Sequence, residues 1–407
     1  MNVSKAGTRT GVLVTWRATP IAVRYLLGGV LINQIGAFVQ TFLVLYLTVR
    51  GFSVGQAGAA LTAYSAGAVF GTLLGGELTH RIGARSTIVS AMAASALVLG
   101  FVPWLCGASR FGPLLVAITI AGLATQSYRP AAALLLSELT LDEHRVMSFS
   151  MMRIALNVGA ALAPLIAAGL ILASWDLLFW LDAATALAYA LVALTLLPRT
   201  SAPQELAQPA ENKQFAYVVL LRDIRYLLFL ASVLLGSIIY VQYTVALPLK
   251  ITAEGHSAAL YSAVLVTASL LLVLTELKIT TYVKQWPVYV AGAVGTAVMG
   301  LGIAAYGLAS SGALIVLATV VFVLGVMVCG PSMFAYPTRF PVALRARYVG
   351  AHQAAFGLGI ALGPTVGVLA WEGLGNGTWW VFGAIGVIAS LCALMGMHKR
   401  TLSEMTS

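Results

Sequence analysis

The sequence predicts an all-α membrane protein whose twelve transmembrane helices form two pseudo-symmetric six-helix bundles. Three observations predict it: an extreme composition, twelve evenly punctuated apolar runs, and a likeness between the two halves of the chain. The chain has 407 residues, of which 60% are hydrophobic and 9% charged. A soluble globular chain carries about 25% charged residues, and this one could not cover its surface with polar groups. That excludes a cytosolic enzyme, a nucleic-acid-binding domain and a disordered scaffold. A spanning helix needs about 20 apolar residues to cross about 30 Å of hydrocarbon, so twelve spans leave room for short loops and one longer linker.

Each predicted span is an apolar run closed by charge or by Pro/Gly punctuation. Span 1 covers 21–49, between Pro20 and Arg50; span 2 covers 54–79, ending at His80 and Arg81; span 3 covers 86–107, between Arg85 and Arg110. Span 4 covers 111–139, span 5 covers 146–173 after the charged run 142–145, and span 6 covers 177–197, ending at Pro198 and Arg199. Spans 7 to 12 cover 225–251, 257–278, 287–309, 312–338, 346–371 and 376–398. The one long polar stretch, 198–224, divides them six and six. This gives an N-terminal bundle over 1–197, a cytoplasmic linker over 198–224 and a C-terminal bundle over 225–407. The first twenty residues are polar and basic and run into span 1 without the pattern of a cleavable signal.

The net charge of +10 reads as topology, because Lys and Arg gather in cytoplasmic loops. With the N-terminus inside, the cytoplasmic segments hold Lys5, Arg9, Arg17, Arg24, Arg81, Arg85, Arg145, Arg199, Lys213, Arg222, Arg225, Lys278, Lys284, Arg339, Arg345, Arg347, Lys399 and Arg400. The outer loops hold only Arg50, Arg110 and Lys250, while Arg129 and Arg153 fall within spans. The expected location is the cell membrane, multi-pass, with both termini cytoplasmic. Cys106, Cys329 and Cys392 are isolated in apolar surroundings with no CxxC, which fits small core residues rather than metal ligands or a disulfide framework.

The halves match at an offset near 200 residues. VGAALAP at 158–164 aligns with LGIALGP at 358–364, and Arg145 and Arg345 each stand 14 residues before the aligned Gly159 and Gly359. Glu77 and Leu78 at the end of span 2 match Glu276 and Leu277 at the end of span 8. Such internal symmetry marks a transporter with its site at the interface between two halves.

These residues resemble the major facilitator superfamily over nearly the whole chain, and the resemblance implies the major facilitator fold. The segment 75–85, GGELTHRIGAR, is similar to that superfamily's G-x-L-a-D-R-x-G-R-[RK] loop between spans 2 and 3. Gly76, His80, Arg81, Gly83 and Arg85 are thereby implied to be gating residues that pin helix ends in one state and release them in another. His80 stands where the motif has Asp, a pH-sensitive substitute, and Ala84 stands where it has a basic residue. Spans 5 and 11 resemble the proline-glycine motif of the 12-span drug:proton antiporters. Span 11 carries the fuller copy, Gly359, Gly363, Pro364 and Gly367; span 5 carries Gly159, Ala163 and Pro164. Bends there are implied to help seal one side of the cavity, and small residues at that spacing equally let two helices pack closely. The span 4 pattern R-x-x-Q-G of many drug antiporters is missing, since Ile118 precedes Gly122 by four.

Charge inside hydrocarbon is costly, so intramembrane ionisable groups are functional candidates. Arg129 and Arg153 fall at similar depth in the inner half of the membrane. They could clamp a carboxylate or phosphate, or pair with Glu77, Glu138 or helix-end carbonyls and brace a gate. The candidates for proton coupling are Asp182, Glu276, Glu77 and His352. Asp182 lies about 8 Å from the outer end of span 6, flanked by Trp175 and Trp180 as an interfacial belt. Span 1 has no acidic residue. Polar residues on spans 1, 4, 7 and 10 mark the expected substrate wall: Asn33, Gln34, Ala37 and Gln40; Gln126, Tyr128 and Arg129; Tyr240, Gln242 and Tyr243; Met333 and Tyr336. Asn33, Ala37 and Gln40 fall on one helical face. An aromatic, amide and methionine lining suits a bulky amphipathic ligand, and interhelical hydrogen bonding accounts for the same residues.

No HExxH, GxSxG or P-loop is present, so the expectation is a transporter, not an enzyme, with no cofactor and no nucleic-acid partner. The expected partners are a small-molecule substrate, protons and the lipid bilayer. Two halves in one chain complete a site, so a monomer is expected. The reading is a secondary active transporter, exporting amphipathic drugs or metabolites in exchange for protons by rocker-switch alternating access. The alternatives are an organic-anion or nutrient transporter using Arg129 and Arg153, and a non-transporting membrane receptor with the same fold.

Overall fold

Twelve long helical spans, with no strand among the described residues, make up the computed structural model, which describes residues 19–107, 110–199 and 216–398. Span 1 comprises two helices, Ile21–Ile35 and Val39–Val49, and span 7 comprises Ile224–Tyr240 and Gln242–Ala253. Spans 2 to 6 are Val54–Ile82, Ala84–Gly107, Phe111–Glu138, Asp142–Ala173 and Asp176–Leu196. Spans 8 and 9 are Ala258–Val283 and Val288–Ala305. Span 10 is Gly312–Ala335, continued by the tight turn Tyr336–Arg339; spans 11 and 12 are Val342–Leu374 and Thr378–Met397. Of the linker, Ala216–Arg222 forms a short helix. The expected cytoplasmic cations Lys5, Arg9, Arg17, Lys213, Lys399 and Arg400 lie outside the described residues.

Spans 5, 8 and 11 run past their expected ends. Span 5, with 32 residues, is about 48 Å long at 1.5 Å per residue, against about 30 Å of hydrocarbon. Hydropathy marks where lipid ends, and the helix continues beyond it through charged residues such as Asp142, Glu143 and Lys278.

Each half holds two apolar clusters, one toward each end. In the first half Tyr128, Met147, Phe149 and Tyr189 anchor the end that carries the linker, called the linker side below, and Phe38, Tyr46, Leu114 and Phe179 anchor the other. In the second half Tyr226, Phe229, Tyr336 and Phe340 occupy the linker side, and Tyr306, Phe322, Trp379 and Phe382 the opposite side. The repeat reaches the loop ends too. Arg50 pairs with Asp176, and 200 residues later Lys250 bonds Glu254 and donates to Oδ1 of Asn376 at 3.2 Å. Lys250 is therefore not the loop residue expected from its charge. It sits inside a helix, 1% exposed, because Glu254 one turn on neutralises it.

Glycine lets the inner helices touch. On span 2, Gly67, Gly71 and Gly75 face span 4 so closely that a Cβ at Gly71 would lie 2.2 Å from the carbonyl oxygen of Leu123, and one at Gly75 2.0 Å from that of Ser127. The Ser127 hydroxyl donates to the Gly71 carbonyl at 2.9 Å across the same seam. Backbone cannot yield as a flexible side chain can, and over-packing costs about 1–3 kcal/mol or more. Gly71→Leu should therefore lower the melting temperature of the purified protein by several degrees, whereas Gly28→Leu, where a Cβ meets nothing within 4 Å, should leave it unchanged.

Candidate substrate cavity and its closed end

A cavity of about 240 Å³ lies between the halves. From the first half it is lined by Val30 and Gln34 of span 1, Tyr128, Arg129 and Ala132 of span 4, and Met152, Arg153, Leu156, Asn157 and Ala160 of span 5. From the second come Ser232, Ser237 and Tyr240 of span 7, Thr296 and Met299 of span 9, Cys329, Gly330, Met333 and Phe334 of span 10, and His352, Gln353 and Phe356 of span 11. Among the described residues no carboxylate lines it. The wall mixes aromatic rings, methionines and single amides, a surface that suits an amphipathic solute.

The two intramembrane arginines meet here but differ in state. Arg153 reaches across the halves. Its Nε lies 3.2 Å from Oε1 of Glu276 on span 8, with the side chains 11% and 0% exposed, and its guanidinium donates to the Val326 carbonyl at 3.2 Å. It fills the notch over Gly330, where a Cβ would fall 1.0 Å from the guanidinium nitrogen, and its carbon lies 6.0 Å from the Phe334 ring centre. Of the two readings of Arg153, the bracing one matches this geometry, with Glu276 as partner rather than Glu77 or Glu138. Arg129 pairs with no carboxylate among the described residues, and its Nε is buried without a hydrogen-bond partner. Pro130 beside it removes the amide that would bond the Gln126 carbonyl.

A second ion pair closes the rim of the same side. Arg347 of span 11 donates Nε to Oε2 of Glu77 at 2.8 Å and a terminal nitrogen to Oε1 at 3.3 Å, while Arg81 donates to the same carboxylate at 2.7 Å. Beneath it Gly76 meets Gly350, where a Cβ would lie 3.1 Å from the other glycine's Cα. On the facing seam the Thr280 hydroxyl donates to Ser150 at 3.0 Å. The repeat mates Glu77 and Glu276 thus do the same job, each holding an arginine of the other half. Arg153 lies six residues beyond position 147, the mate of Arg347, so its pair sits about 9 Å deeper along the helix.

Of the other loop residues, Arg85 donates to the Ala193 carbonyl at 3.1 Å and also bonds that of Leu194, capping span 6 within its own half. Gly83 has φ +83° at the turn between spans 2 and 3, and His80 lies on the last turn of span 2. Pro164 and Pro364 are exposed and lie inside unbroken helices. The nearby glycines pack within halves: Gly159 against Gln34, Gly359 against Ser237 and Gly363 against Val241.

Several expected wall residues lie elsewhere. Span 1 breaks between Ile35 and Val39, so Asn33, Ala37 and Gln40 do not share one helical face, and only Gln34 of that group lines the cavity. Gln126 is outside the cavity wall and faces Tyr64, whose hydroxyl bonds that of Thr125 at 3.1 Å. Gln242 is fully buried and donates to the carbonyls of Ile238 and Gly363 at 2.7 and 3.0 Å. Tyr243 packs on Tyr240 and Phe322, and the Tyr336 hydroxyl donates to the Gly396 carbonyl. Asp182 is not an interfacial residue. It is 5% exposed and its carboxylate faces the backbone N–H groups of Val39 and Phe38 at the break in span 1, the latter also donating to the Gly36 carbonyl at 2.8 Å. His352 is 1% exposed, stacked on Phe229 at 5.6 Å and edge-on to Phe334 at 5.0 Å.

Asn157, Gln353 and Gly330 line the cavity outside the expected wall. The signal was present: Met152, Arg153, Leu156, Asn157 and Ala160 form one face of span 5, and the 200-residue offset carries 152, 153 and 156 onto His352, Gln353 and Phe356. Glu276→Gln would leave Arg153 enclosed with its charge uncompensated, a loss of about 3–5 kcal/mol. Thermal unfolding of the purified protein should fall further for Glu276→Gln than for Glu77→Gln, whose carboxylate is 21% exposed. Adding Arg153→Gln to Glu276→Gln should restore part of the loss.

Comparison with known proteins agrees with this geometry. The profile of the Major Facilitator Superfamily matches residues 26–364. An uncharacterized MFS-type transporter, YqjV, of Bacillus subtilis (strain 168) is 23% identical over 374 residues, covering 88% of each chain. A Na(+), Li(+), K(+)/H(+) antiporter of Planococcus maritimus is 23% identical over 418 residues, covering 93% of this chain and 97% of its own. Among solved structures, a bacterial homologue of the iron transporter ferroportin superposes with a TM-score of 0.76 at 16% identity, over 93% of this chain and 100% of its own. The chain belongs to the major facilitator superfamily and is a multi-pass membrane transporter.

Proposed function

We propose that this protein is a secondary transporter that exports an amphipathic drug or metabolite bearing an acidic group, exchanges it for protons, and works by rocker-switch alternating access. The observation that carries this reading is Arg129, a cation on the cavity wall with a buried Nε that lacks a partner. No lining carboxylate offsets it, and Arg153 is already held by Glu276. A permanently charged guanidinium suits a carboxylate, sulfonate or phosphate, while Tyr128, Met152, Met299, Phe334 and Phe356 accommodate the apolar body. The same positive potential disfavours an inorganic cation at this centre, the cargo in the name of the Planococcus relative.

Sidedness follows from charge. Arg24, Arg81, Arg85, Arg145, Arg199, Arg222, Arg225, Arg345 and Arg347 lie on the linker side, whereas of the opposite-side cations Arg50 and Lys250 are neutralised by Asp176 and Glu254. The linker side is then cytoplasmic, both termini are cytoplasmic, and the conformation described is closed to the cytoplasm. On this reading the division of the chain at the linker separates two bundles that rock about the cavity.

Flux in liposomes tests it, with anilinonaphthalene sulfonate, neutral phenylnaphthylamine and ethidium as probes. A charge-assisted contact contributes about 1.5–3 kcal/mol, so Arg129→Gln should slow sulfonate flux by about 10- to 100-fold. Preferential movement of ethidium, with Arg129→Gln unaffected, would overturn the anionic reading. Flux of any probe requires a transporter; none under any imposed gradient would favour a receptor.

A further inference from the structure

Span 1 is interrupted at Gly36, Ala37 and Phe38, in the middle of the membrane-crossing segment. The second helix begins at Val39, and the carboxylate of Asp182 from span 6 faces the backbone amides of Val39 and Phe38, the latter shared with the Gly36 carbonyl at 2.8 Å. The fit is tight, since a Cβ at Gly36 would come within 1.9 Å of the Thr185 hydroxyl. Asp182 is 95% buried by its 5% exposure and forms no ion pair among the described residues. The groups facing it are few. Span 1 offers backbone amides, span 2 offers the Tyr64 hydroxyl, and Arg129 of span 4 acts on Tyr64 from the far side. Among the described residues of spans 3 and 5, no titratable or charged group acts on it.

The second half contains the matching break without the acid. Span 7 is interrupted at Val241, and there the buried Gln242 bridges the Ile238 and Gly363 carbonyls with an amide that cannot titrate. One hinge is therefore fixed and the other carries an ionisable cap. Span 1 also lines the cavity through Gln34, which packs against Gly159 of span 5. A carboxylate that takes up a proton from water loses its anionic hold on two amides, and the freed turn can rewind.

We propose that Asp182 is the proton-binding group of this transporter and that it acts by capping the break in span 1, so that a proton taken up on its carboxylate releases the hinge beneath Gln34. This rests on the transport reading above only for its coupling to solute. Binding and release are properties of the first half alone. The charge balance is simple: one proton moves from water to a carboxylate oxygen, and Phe38 and Val39 exchange an anionic acceptor for a neutral one or for the carbonyls of Gln34 and Ile35 one turn earlier. Burying an ion without a counter-ion is costly, which makes such a group responsive to any change in its surroundings.

The test uses the full-length protein in liposomes without solute. Infrared difference spectra between about pH 5 and about pH 9 should show a buried carboxyl band that Asp182→Asn removes and Glu276→Gln retains. Nitroxides at the exposed Leu45 and Leu187 should report a distance change between spans 1 and 6 with pH in the parent, lost in Asp182→Asn. If Asp182→Asn does not fold, Asp182→Glu should keep the band and shift its midpoint. A band unchanged by either substitution, or a pH-independent distance in the parent, overturns the proposal. A titrating hinge in a protein that moves no probe would instead overturn the transport reading and leave the proton site standing.

Discussion

The structure depends on one contact that a membrane interior makes expensive, the ion pair of Arg153 with Glu276 across the two halves. Two charges enclosed at 11% and 0% exposure are tolerable only together, since removing either strands the other. Gly330 is the steric condition for it. Any side chain there would occupy the space of the guanidinium, and the arginine would lose both its carboxylate and the Val326 carbonyl. With the pair in place, spans 5, 8 and 10 meet beneath the cavity, and the rim contacts of Glu77, Arg347, Gly76 and Gly350 close the same side.

This arrangement divides the charges of the membrane interior into three roles. Arg153 and Glu276 cancel and hold the closed end. Arg129 faces the cavity with no carboxylate partner among the described residues, and on the reading proposed above an acidic solute compensates it. Asp182 is compensated only by backbone dipoles at the start of a half-helix, an arrangement helix N-termini favour for anions. An acidic solute at Arg129 and a proton at Asp182 are then the two species whose arrival would change the electrostatics of the first half, and Tyr64 is within electrostatic reach of both. That is a physical basis for the exchange proposed here.

Much of the fold was legible in the sequence because the bilayer imposes it. Twelve apolar runs and a 200-residue offset suffice to place twelve helices in two bundles. The breaks in spans 1 and 7 were not legible, since Ile21 to Val49 holds no proline and Gly36 stands between the apolar Ile35 and Ala37. Asp182, which completes the first break, comes from a helix more than 140 residues away in sequence. The cavity wall was read in part: Gln34, Tyr128, Arg129, Tyr240 and Met333 line it, while Gln126, Gln242 and Tyr336 turned to backbone or neighbouring hydroxyls instead. Hydropathy identifies polar residues in lipid but not which face of the helix they take. The repeat offset, applied to span 5, would have pointed to Gln353 and Phe356.

On this reading the two ion pairs hold one of two alternating closures. Pulsed electron resonance distances test it most directly, with one spin-label pair at Ile82 and Val342 on the linker side and a second at Val49 and Thr252 on the opposite side, all exposed positions. Two reciprocally linked populations are expected in each pair, with Glu276→Gln and Glu77→Gln together lengthening the linker-side distance and shortening the other. A single unchanging distance in both pairs, or both lengthening together, would contradict it.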